Sequence, residues 1–184
     1  MGKHLVLVGG GHAHLATIKQ LGSFIARGHK VTLVSPSPFH DYSGMGPGLL
    51  SGRYRLSEAR FNIARMTTIR GGRFVEAKAV GIDPESKTVQ LADGNQVNYD
   101  TISFNCGSEV TLPAPKTALG QTVFPVKPIA NLFLARQKII EAARQPDSPI
   151  HILVIGGGPA GCEVTGNLQG LARESVSSLQ ITQV

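Results

Sequence analysis

The apolar and polar positions of the chain predict an alternation of short buried strands and amphipathic helices. The apolar run 5–8 ends in a glycine triplet, and apolar residues then recur at about every 3.6 residues over 12–27, which predicts a helix. Gly28 ends that helix, and the apolar-rich segment 30–34 predicts the next strand. A strand, a helix and a strand within about 30 residues form the unit that joins two parallel neighbours in a sheet.

The same pattern returns 147 residues later. Residues 3–15 read KHLVLVGGGHAHL, and residues 150–162 read IHILVIGGGPAGC. Each is a short apolar run, a glycine triplet and small residues that open a helix, and the second helix is predicted over 159–173. Residues 178–184 have the pattern of a further strand. Because the period is far longer than that of a solenoid repeat, we interpret the similarity as a duplicated domain.

The segment between the two copies has a different pattern. Residues 35–52 are rich in proline, glycine and serine, and residues 57–70 predict a helix with an arginine face. Residues 73–104 alternate apolar and polar positions and are divided by the turn signals PES and DGN, which predicts a β-meander. The proline-punctuated stretch 113–128 predicts a crossover between domains, and residues 128–144 predict a helix.

Composition and charge narrow the class of protein. Hydrophobic residues make up 41% and charged residues 16% of the 184-residue chain, which excludes an intrinsically disordered protein. The net charge of +6 suits phosphates and anionic cofactors, and equally nucleic acid or acidic lipids. Aromatic residues are only 5% and tryptophan is absent, so we expect no nucleic-acid partner that relies on base stacking.

The same composition bears on where the protein works. The apolar run near the N-terminus is too short for a signal peptide, and no apolar stretch approaches the roughly 18 residues that span a bilayer. Cys106 and Cys162 cannot form a disulfide framework, so a reducing compartment is expected. We therefore expect a cytoplasmic protein, with peripheral contact at the inner face of a membrane as the alternative.

Two glycine motifs carry the candidate chemistry. In the pattern G-x-G-x-x-G the first glycine makes a tight turn, the second lets a pyrophosphate approach, and the third lets helix and strand pack closely. Gly156, Gly158 and Gly161 fill all three positions, whereas Gly9 and Gly11 fill two. The third position of the first motif is a histidine. Amide groups at each helix N-terminus can hold phosphates, so two motifs imply two dinucleotides, most naturally a flavin and a nicotinamide.

Several segments together resemble a known superfamily, the FAD-dependent pyridine nucleotide–disulfide oxidoreductases. VLVGGGHAHL is similar to its FAD motif, and VIGGGPAGCEVTGNL is similar to its NAD(P)H motif. The stretch AVGIDPESKTVQLADGNQVNYDTISFNCGSE resembles the approach to its second FAD motif. Within the superfamily, YSGMGPGLLSGRY and FPVKPIANLFLAR resemble the NADH dehydrogenase-like branch, which includes flavoprotein modules associated with selenophosphate synthetase.

The resemblance implies an α/β fold with two domains. Residues 1–115 are then a Rossmann-like FAD-binding domain with a β-meander insert, and residues 116–184 are the start of a second Rossmann-like, NAD(P)H-binding domain. It also implies that the chain is the N-terminal half of a flavoprotein, because the superfamily's late FAD motif has no counterpart here.

Individual residue roles follow from the resemblance alone. The residues implied to wrap the FAD pyrophosphate are Gly9, Gly11, His12, Ala13 and His14. Those implied to approach the ribityl chain and the flavin ring are Tyr42, Ser43, Gly44 and Met45. Ala79 is implied at the adenine, and Cys106, Gly107 and Ser108 are implied to close over the FAD. The residues implied to receive the nicotinamide cofactor are Gly156, Gly158, Pro159, Gly161 and Glu163.

The chain also departs from the superfamily pattern. Ser35 stands at the end of the second strand, where the superfamily often has an acidic residue that holds the FAD ribose. Residues 105–108 read NCGS in place of ATGS, and the redox cysteine pair of the disulfide reductases is absent, so dithiol chemistry is not expected. By analogy with the spacing in the first copy of the motif, the residue that determines specificity for NADH or NADPH is expected near Gln183.

The implied function is FAD-dependent oxidoreduction, in which a hydride passes from NAD(P)H to FAD and on to a small-molecule acceptor such as a quinone. The first half-reaction needs no side chain as acid or base, so no catalytic residue is assigned, and no metal site is assigned either. We expect a homo-oligomer. The alternatives are a sulfide- or selenium-linked flavoenzyme and a non-catalytic nucleotide-binding fragment.

Four features have both a functional and a plain interpretation. Cys106 is a reactive thiol near the flavin or a small residue of a packed turn, and Cys162 is an activated thiol or a packing residue. Lys127 stabilises a reduced flavin or is solvated. The six arginines between residues 53 and 73 form an anion-binding patch or a solvated helical face. The plain interpretation is favoured for the cysteines and the arginines.

Overall fold

The computed structural model of the chain describes residues 2–110, 122–144, 149–176 and 178–184. These residues belong to two compact units, of which the first comprises residues 1–40 and 61–107. The second comprises residues 41–60 and 108–184, so the segment 41–60 leaves the first unit and the chain then returns to it.

Strands and helices alternate along the chain as the sequence pattern predicts. The strands are β1 (His4–Val8), β2 (Lys30–Ser35), β3 (Phe39–Asp41), β4 (Arg60–Asn62), β5 (Arg73–Glu76), β6 (Ala79–Asp83), β7 (Thr88–Leu91), β8 (Gln96–Asn98), β9 (Thr101–Phe104), β10 (Ile150–Val154) and β11 (Leu179–Gln183). The helices are α1 (His12–Lys19), α2 (Leu21–Ala26), α3 (Gly46–Ser51), α4 (Ile63–Thr68), α5 (Ala130–Ala142) and α6 (Pro159–Ser175), and a 3-10 turn covers Ser43–Met45.

The centre of the first unit is a parallel sheet with the strand order β5-β2-β1-β9. The register pairs Val8 with Val34 on one side and with Phe104 on the other, so β1 has a parallel neighbour at both edges. Such a strand is expected to be apolar on both faces. Val6 and Leu7 are accordingly 0% and 1% exposed. The parallel sheet confirms the predicted α/β class.

The two faces of this sheet are covered by different layers, because successive side chains of a strand point in opposite directions. Leu7 and Leu33 pack with Ile18, Leu21 and other residues of the helical side. On the opposite face, Val6, Val8 and Val34 pack with the buried residues of the antiparallel sheet β6-β7-β8, which are Val89, Leu91 and Val97. The parallel sheet is therefore held between helices and a small antiparallel sheet.

The predicted meander over 73–104 is confirmed only for its middle part. Strands β6, β7 and β8 pair antiparallel, as the alternating pattern and the turn signals indicate. The flanking strands β5 and β9 instead join the parallel sheet beside β2 and β1. Alternation within one strand does not distinguish these partners, because a strand that edges a parallel sheet also buries one face.

Two helix predictions differ from the structure. The predicted helix 12–27 is divided into α1 and α2 at Gln20, whose backbone φ of −94° and ψ of 6° leave helical geometry. The predicted helix 57–70 is wrong over its first half, because residues 60–62 form β4. There the Arg60 guanidinium Nε donates to Asp41 Oδ1 at 2.9 Å. Asn62 then begins α4 by accepting the Arg65 amide, so the expected arginine face is not formed.

The second unit packs α3, α5 and α6 with the parallel pair β10-β11 around one apolar core. Helix α6 contributes Val164, Leu168 and Leu171, which recur at helical spacing and are buried. The helices predicted over 128–144 and 159–173 and the strand predicted over 178–184 are confirmed by α5, α6 and β11. In the predicted crossover, residues 111–121 lie outside the described residues, and 122–129 contain no helix or strand apart from the turn into α5.

None of the helices in the described ranges is both long enough and apolar enough to cross a membrane.

The core of the second unit gives a direct test of this packing. Leu168 is 2% exposed, whereas Leu134 on α5 is 48% exposed. Leu168→Ala is expected to lower the free energy of unfolding by about 2–5 kcal/mol, because the shortened side chain leaves a cavity. Leu134→Ala, the matched control, is expected to cost less than about 1 kcal/mol. Urea unfolding followed by circular dichroism measures both, and equal losses would contradict the assigned packing.

Candidate functional site

The first glycine motif forms the turn between β1 and α1. Gly9 has a φ of +86°, and its amide donates to Val34 O at 2.8 Å, so the chain leaves β1 while still bonded to β2. A Cβ atom on Gly9 would overlap the backbone of Asn105 and Cys106. Both the positive φ and the close approach require glycine here. Gly11 then precedes α1 as its N-cap.

The same turn is tied to the end of β9 by hydrogen bonds. The Gly11 amide donates to Asn105 O at 3.0 Å, and the Asn105 amide donates to Val8 O at 2.8 Å. The Ala13 amide, in the first turn of α1, donates to the side-chain Oδ1 of Asn105 at 3.2 Å. The backbone and side chain of one residue therefore hold both the glycine turn and the start of the helix.

His14 occupies the third position of the first motif and lies inside the unit, 4% exposed. Its Nδ1 lies 2.6 Å from Gly9 O, and its Nε2 lies 2.9 Å from Ser103 Oγ. A carbonyl oxygen only accepts, so we assign a proton to Nδ1, and in the neutral ring Nε2 accepts from the Ser103 hydroxyl. The imidazole thus bridges α1, the turn after β1, and β9.

The second glycine motif forms the equivalent turn between β10 and α6. Gly156 has a φ of +117°, and its amide donates to Val184 O at 2.7 Å. Gly158 is the N-cap of α6, and Pro159 follows at the start of the helix, where proline is well tolerated. A Cβ atom on Gly161 would overlap Gly156 O, so the third glycine allows helix and turn to touch.

The two turns therefore differ in the residue at the third position of the glycine motif. In the second turn Gly161 has no side chain, and the helix lies directly against the Gly156 carbonyl. In the first turn the equivalent carbonyl, that of Gly9, is hydrogen-bonded by the His14 ring. At this position the first turn therefore has a side-chain donor to the carbonyl, where the second turn has a direct contact between helix and carbonyl.

The donor set of the second turn fits the pyrophosphate of a dinucleotide. Around the second turn, Cβ atoms built on Gly156, Gly157 and Gly158 would meet no heavy atom of the described residues within 4 Å, so the cradle is open. Helix α6 begins at this turn, and a helix N-terminus favours an anion. In the first turn, which precedes a helix of eight residues, the Gly9 amide bonds to Val34 O and the Gly11 and Ala13 amides bond to Asn105.

The remaining residues implied at the FAD are divided between the two units. Ser35 ends β2 and is 6% exposed, and the adjacent Ala77 amide donates to its carbonyl at 3.0 Å, two residues before Ala79 opens β6. Cys106 is exposed, and its thiol donates to Val8 O at 3.4 Å. Gly107 follows with a φ of +77°. These residues belong to the first unit together with the first glycine turn.

The segment Tyr42–Met45 belongs to the second unit, as does Ser108. The Tyr42 amide donates to Ala59 O at 2.7 Å, and the 3-10 turn Ser43–Met45 leads directly into α3. Gly44 lies against the ring of Tyr42, where a Cβ atom would be 3.1 Å from the ring. Ser108 Oγ accepts from Lys127 Nζ at 2.9 Å, which gives Lys127 a defined partner.

The glycines of the distinctive block 42–54 are explained by packing within the second unit. A Cβ atom on Gly46 would lie 2.8 Å from Ile129, and one on Gly48 would overlap the ring of Tyr54. Gly52 has a φ of +87° and lies against the guanidinium of Arg136. That guanidinium donates to Ser51 O at 2.7 Å and so closes the C-terminus of α3.

Near the second turn the predicted residues lie on the first turns of α6. Glu163 is exposed, and its carbonyl accepts from Asn167 Nδ2 at 2.9 Å. Cys162 is exposed, and its thiol donates to Gly157 O at 3.8 Å. The bonds Gly9–Val34 and Gly156–Val184 are equivalent, so Val184 is the counterpart of Val34. Gln183, the position predicted to separate NADH from NADPH, donates from its side chain to Gly156 O at 3.0 Å.

Sequence reasoning did not find the functions of Asn105, Ser103 and Arg136. Asn105 was visible only as a departure from the superfamily pattern ATGS, and that departure was the signal. Ser103 and Arg136 gave no signal, because their partners are 89 and 85 residues away in the chain. Over the described ranges, no group of three or more His, Cys, Asp or Glu side chains is placed to hold a metal ion.

The pKa of His4 is lowered in the folded chain. Burial lowers the pKa of His4, and the charge of Lys30 lowers it further. His4 opens β1 at the end opposite to Gly9, and its Nε2 lies 2.8 Å from Thr32 Oγ1.

These features define a class: an α/β protein with two dinucleotide-type glycine turns, each at the N-terminus of a helix. Residues 3–183 match the family described as pyridine nucleotide-disulphide oxidoreductase. The chain belongs to this family, which confirms the resemblance seen in the motifs. Members of the family are FAD-dependent and use NADH or NADPH.

Curated relatives include enzymes named for quinone reduction. The chain is 28% identical over 114 residues to the sulfide-quinone reductase of Aquifex aeolicus, covering 62% of this chain and 26% of that protein. It is 26% identical over 187 residues to the mitochondrial external NADH-ubiquinone oxidoreductase 2 of Saccharomyces cerevisiae, covering 91% and 33%. The chain therefore spans about a quarter to a third of the length of these relatives.

Solved structures show the same fold. The structure of NDH2 from Plasmodium falciparum in complex with NADH superimposes with a TM-score of 0.77 at 19% identity. The match covers 100% of this chain and 42% of that one. At this level of identity the likeness establishes the fold alone.

Gly161 provides a test of the second turn. Gly161→Ala is expected to lower the free energy of unfolding by about 1–3 kcal/mol, because the new methyl group overlaps the Gly156 carbonyl. Gly166 lies on the same helix, and a Cβ atom there would meet no described heavy atom within 4 Å. Gly166→Ala is therefore expected to raise stability by up to about 1 kcal/mol through helix propensity. Denaturant titration of both variants would contradict the assignment if their effects had the same sign.

His14 provides a test of the first turn. His14→Leu removes the ring from Gly9 O and Ser103 Oγ, and it is expected to cost about 1–3 kcal/mol for each buried group left without a partner. His151→Leu, at an exposed position of β10, is the control and is expected to change stability by about 0.5 kcal/mol or less. Thermal unfolding compares them. A His14→Leu protein as stable as the control would contradict the bridging role.

Proposed function

We propose that the protein containing this chain is an FAD-dependent oxidoreductase that passes a hydride from NADH or NADPH to FAD and then passes the electrons to an acceptor such as a quinone. The observation that carries the proposal is the pair of glycine turns, each at a helix N-terminus, in a chain that belongs to a family of FAD-dependent NAD(P)H oxidoreductases. Two dinucleotide sites in one protein are what a flavin–nicotinamide reaction needs.

The proposal assigns one cofactor to each turn. The first turn and α1 hold the FAD pyrophosphate, with Ser35 at the ribose and Ala79 at the adenine. The second turn, with Gly156, Gly158 and Glu163, receives the nicotinamide nucleotide. In terms of chain segments, residues 1–115 serve FAD and residues 116–184 open the nicotinamide domain, while the segment 42–45 approaches the flavin.

In this proposal the chain's own residues bind and orient the FAD and the nicotinamide nucleotide. FAD, when bound, supplies the group that accepts the hydride and returns the electrons to the acceptor. The N-termini of α1 and α6 each orient one pyrophosphate, and a pyrophosphate held in place orients the rest of its nucleotide.

The proposed partner is a small electron acceptor. The relatives named for ubiquinone and for sulfide and quinone support a quinone in that position. We also propose peripheral contact of the longer protein with the inner face of a membrane, a cytoplasmic location and a homo-oligomer. The net charge of +6 supports the membrane contact, because anionic leaflets attract basic surfaces.

A second candidate is a flavoenzyme that takes its electrons from sulfide or a selenium compound. The observation in its favour is the likeness to the Aquifex sulfide-quinone reductase in both sequence and fold, with TM-score 0.75 in the fold comparison. Cys106 is exposed at the end of β9 and lies beside the first glycine turn. Cys106 is the thiol that we would assign to the sulfur chemistry of this second candidate.

Anaerobic reduction tests the proposed function. The protein that contains this chain is expected to purify with, or take up, FAD, and NADH or NADPH is expected to bleach the flavin absorbance while sulfide does not. Bleaching by sulfide alone would move the assignment to the second candidate. A colourless protein that takes up no FAD would contradict both and leave a non-catalytic nucleotide-binding protein.

The variant Gly161→Ala tests which of the two turns receives the nicotinamide nucleotide, and Gly166→Ala is its control. The substitution is confined to the second turn, so the variant is expected to retain FAD but to need roughly tenfold more NADH or more for the same bleaching. Gly166→Ala, on the same helix, is expected to behave like the wild type. A Gly161→Ala protein that binds FAD more weakly than the wild type but, once saturated with FAD, is bleached by the same NADH concentration would reverse the assignment of the two turns.

A further inference from the structure

His4 opens β1 at the end of the parallel sheet that lies away from the glycine turn. Its amide donates to Asp100 Oδ2 at 2.6 Å, and the Asp100 amide donates to His4 O at 2.9 Å. Its ring Nε2 lies 2.8 Å from Thr32 Oγ1 on β2. His4 therefore joins β1 to β2 through its side chain and to the residue before β9 through its backbone. We call His4, Thr32 and Asp100 the clasp.

The bond to Thr32 depends on the protonation state of the ring. The ring also donates to the backbone of Asn98, so we assign the proton of the neutral ring to Nδ1, and Nε2 then accepts from the Thr32 hydroxyl. In the imidazolium both nitrogens carry a proton, so Nε2 can only donate. Thr32 is 2% exposed, and its hydroxyl would then lose the acceptor that the ring provides.

Two cations share the face of the sheet on which the His4 ring lies. The register pairs His4 with Lys30 on β2, and it pairs Thr32 with Arg73 on β5. Residues paired across a parallel sheet point to the same face, and so do alternate residues of one strand. The side chains of Lys30 and Arg73 therefore lie on the same face as the ring. A positive charge on His4 would be the third cation there.

Burial lowers the pKa of the His4 ring, and the charges of Lys30 and Arg73 lower it further, whereas Asp100 and the bond to Asn98 act in the opposite direction. The folded chain thus favours the neutral ring. The ordinary pKa of the group is 6.5, so the unfolded chain takes up the proton as the pH falls through 6.5 and the folded chain takes it up only at lower pH. The contribution of the neutral ring to stability is therefore present above pH 6.5 and is lost below it.

We propose that the amino end of the parallel sheet is acid-sensitive: the neutral His4 ring holds the clasp closed, and protonation of the ring loosens the amino ends of β1 and β9. The loosening has two causes, which are the loss of the Thr32 hydroxyl's acceptor and the repulsion of the new charge by Lys30 and Arg73. The inference does not depend on the proposed function, because every group in it belongs to the chain itself.

Hydrogen exchange of the amide of residue 100, measured by NMR, reports how often the clasp opens, because this amide is bonded to His4 O. The exchange rate is divided by that of an unstructured chain at the same pH, about one pH unit above and about one pH unit below 6.5. In the wild type this ratio is expected to increase on acidification by up to about tenfold, the limit for one group that titrates at 6.5 when the clasp is open.

A neutral replacement identifies the titrating group. His4→Gln offers an amide oxygen to the Thr32 hydroxyl but takes up no proton, so the increase on acidification is expected to fall below about twofold. His151→Gln, at an exposed position of β10, is the matched control and is expected to keep the increase of the wild type. Equal increases in the wild type and His4→Gln would overturn the inference.

Two charge variants leave His4 in place and test the inference even if His4→Gln fails to fold. Lys30→Gln removes a positive charge near the ring, so the pKa of His4, followed by NMR titration of the ring, is expected to rise and the increase in exchange to shrink. Asp100→Asn removes the negative charge, so the pKa of His4 is expected to fall. A wild-type pKa above 6.5, or shifts in the same direction in both variants, would contradict the inference.

Discussion

The first unit depends on a close approach between the turn after β1, the start of α1 and the end of β9. At that point the Gly9 carbonyl, the His14 ring and the Ser103 hydroxyl form one hydrogen-bonded chain that is closed to solvent at the histidine. The Gly9 amide bonds at the same time to β2. Gly9 therefore connects β1 with β2 directly and with α1 and β9 through the His14 ring. These bonds fix the direction of the N-terminus of α1.

The two glycine turns show how one backbone design accommodates different side chains. Gly161 lets α6 lie against the Gly156 carbonyl, while at the equivalent position the His14 ring is hydrogen-bonded to the Gly9 carbonyl. The first turn is internally bonded, whereas the space beside Gly156, Gly157 and Gly158 is open among the described residues.

Much of the fold could be predicted from the sequence, because short apolar runs followed by glycine and helical periodicity are local signals. The middle of the predicted meander, α5 and α6 were found in this way. The helix expected over 57–70 failed at residues 60–62, where the ion pair of Arg60 with Asp41 and the cap at Asn62 outweigh local periodicity. In the candidate site, the glycines could be predicted from the motif. The bond from the Ala13 amide to the Asn105 side chain could not, because its partners are 92 residues apart.

The central claim is that the two turns hold two different dinucleotides. Calorimetric titration of the FAD-free protein containing this chain, first with FAD and then with NADH or NADPH, tests it most directly. The account predicts one FAD per chain, followed by a second, independent site that binds the nicotinamide nucleotide without displacing the FAD. Competition of the two nucleotides for a single site, or FAD uptake with no nicotinamide binding, would contradict it.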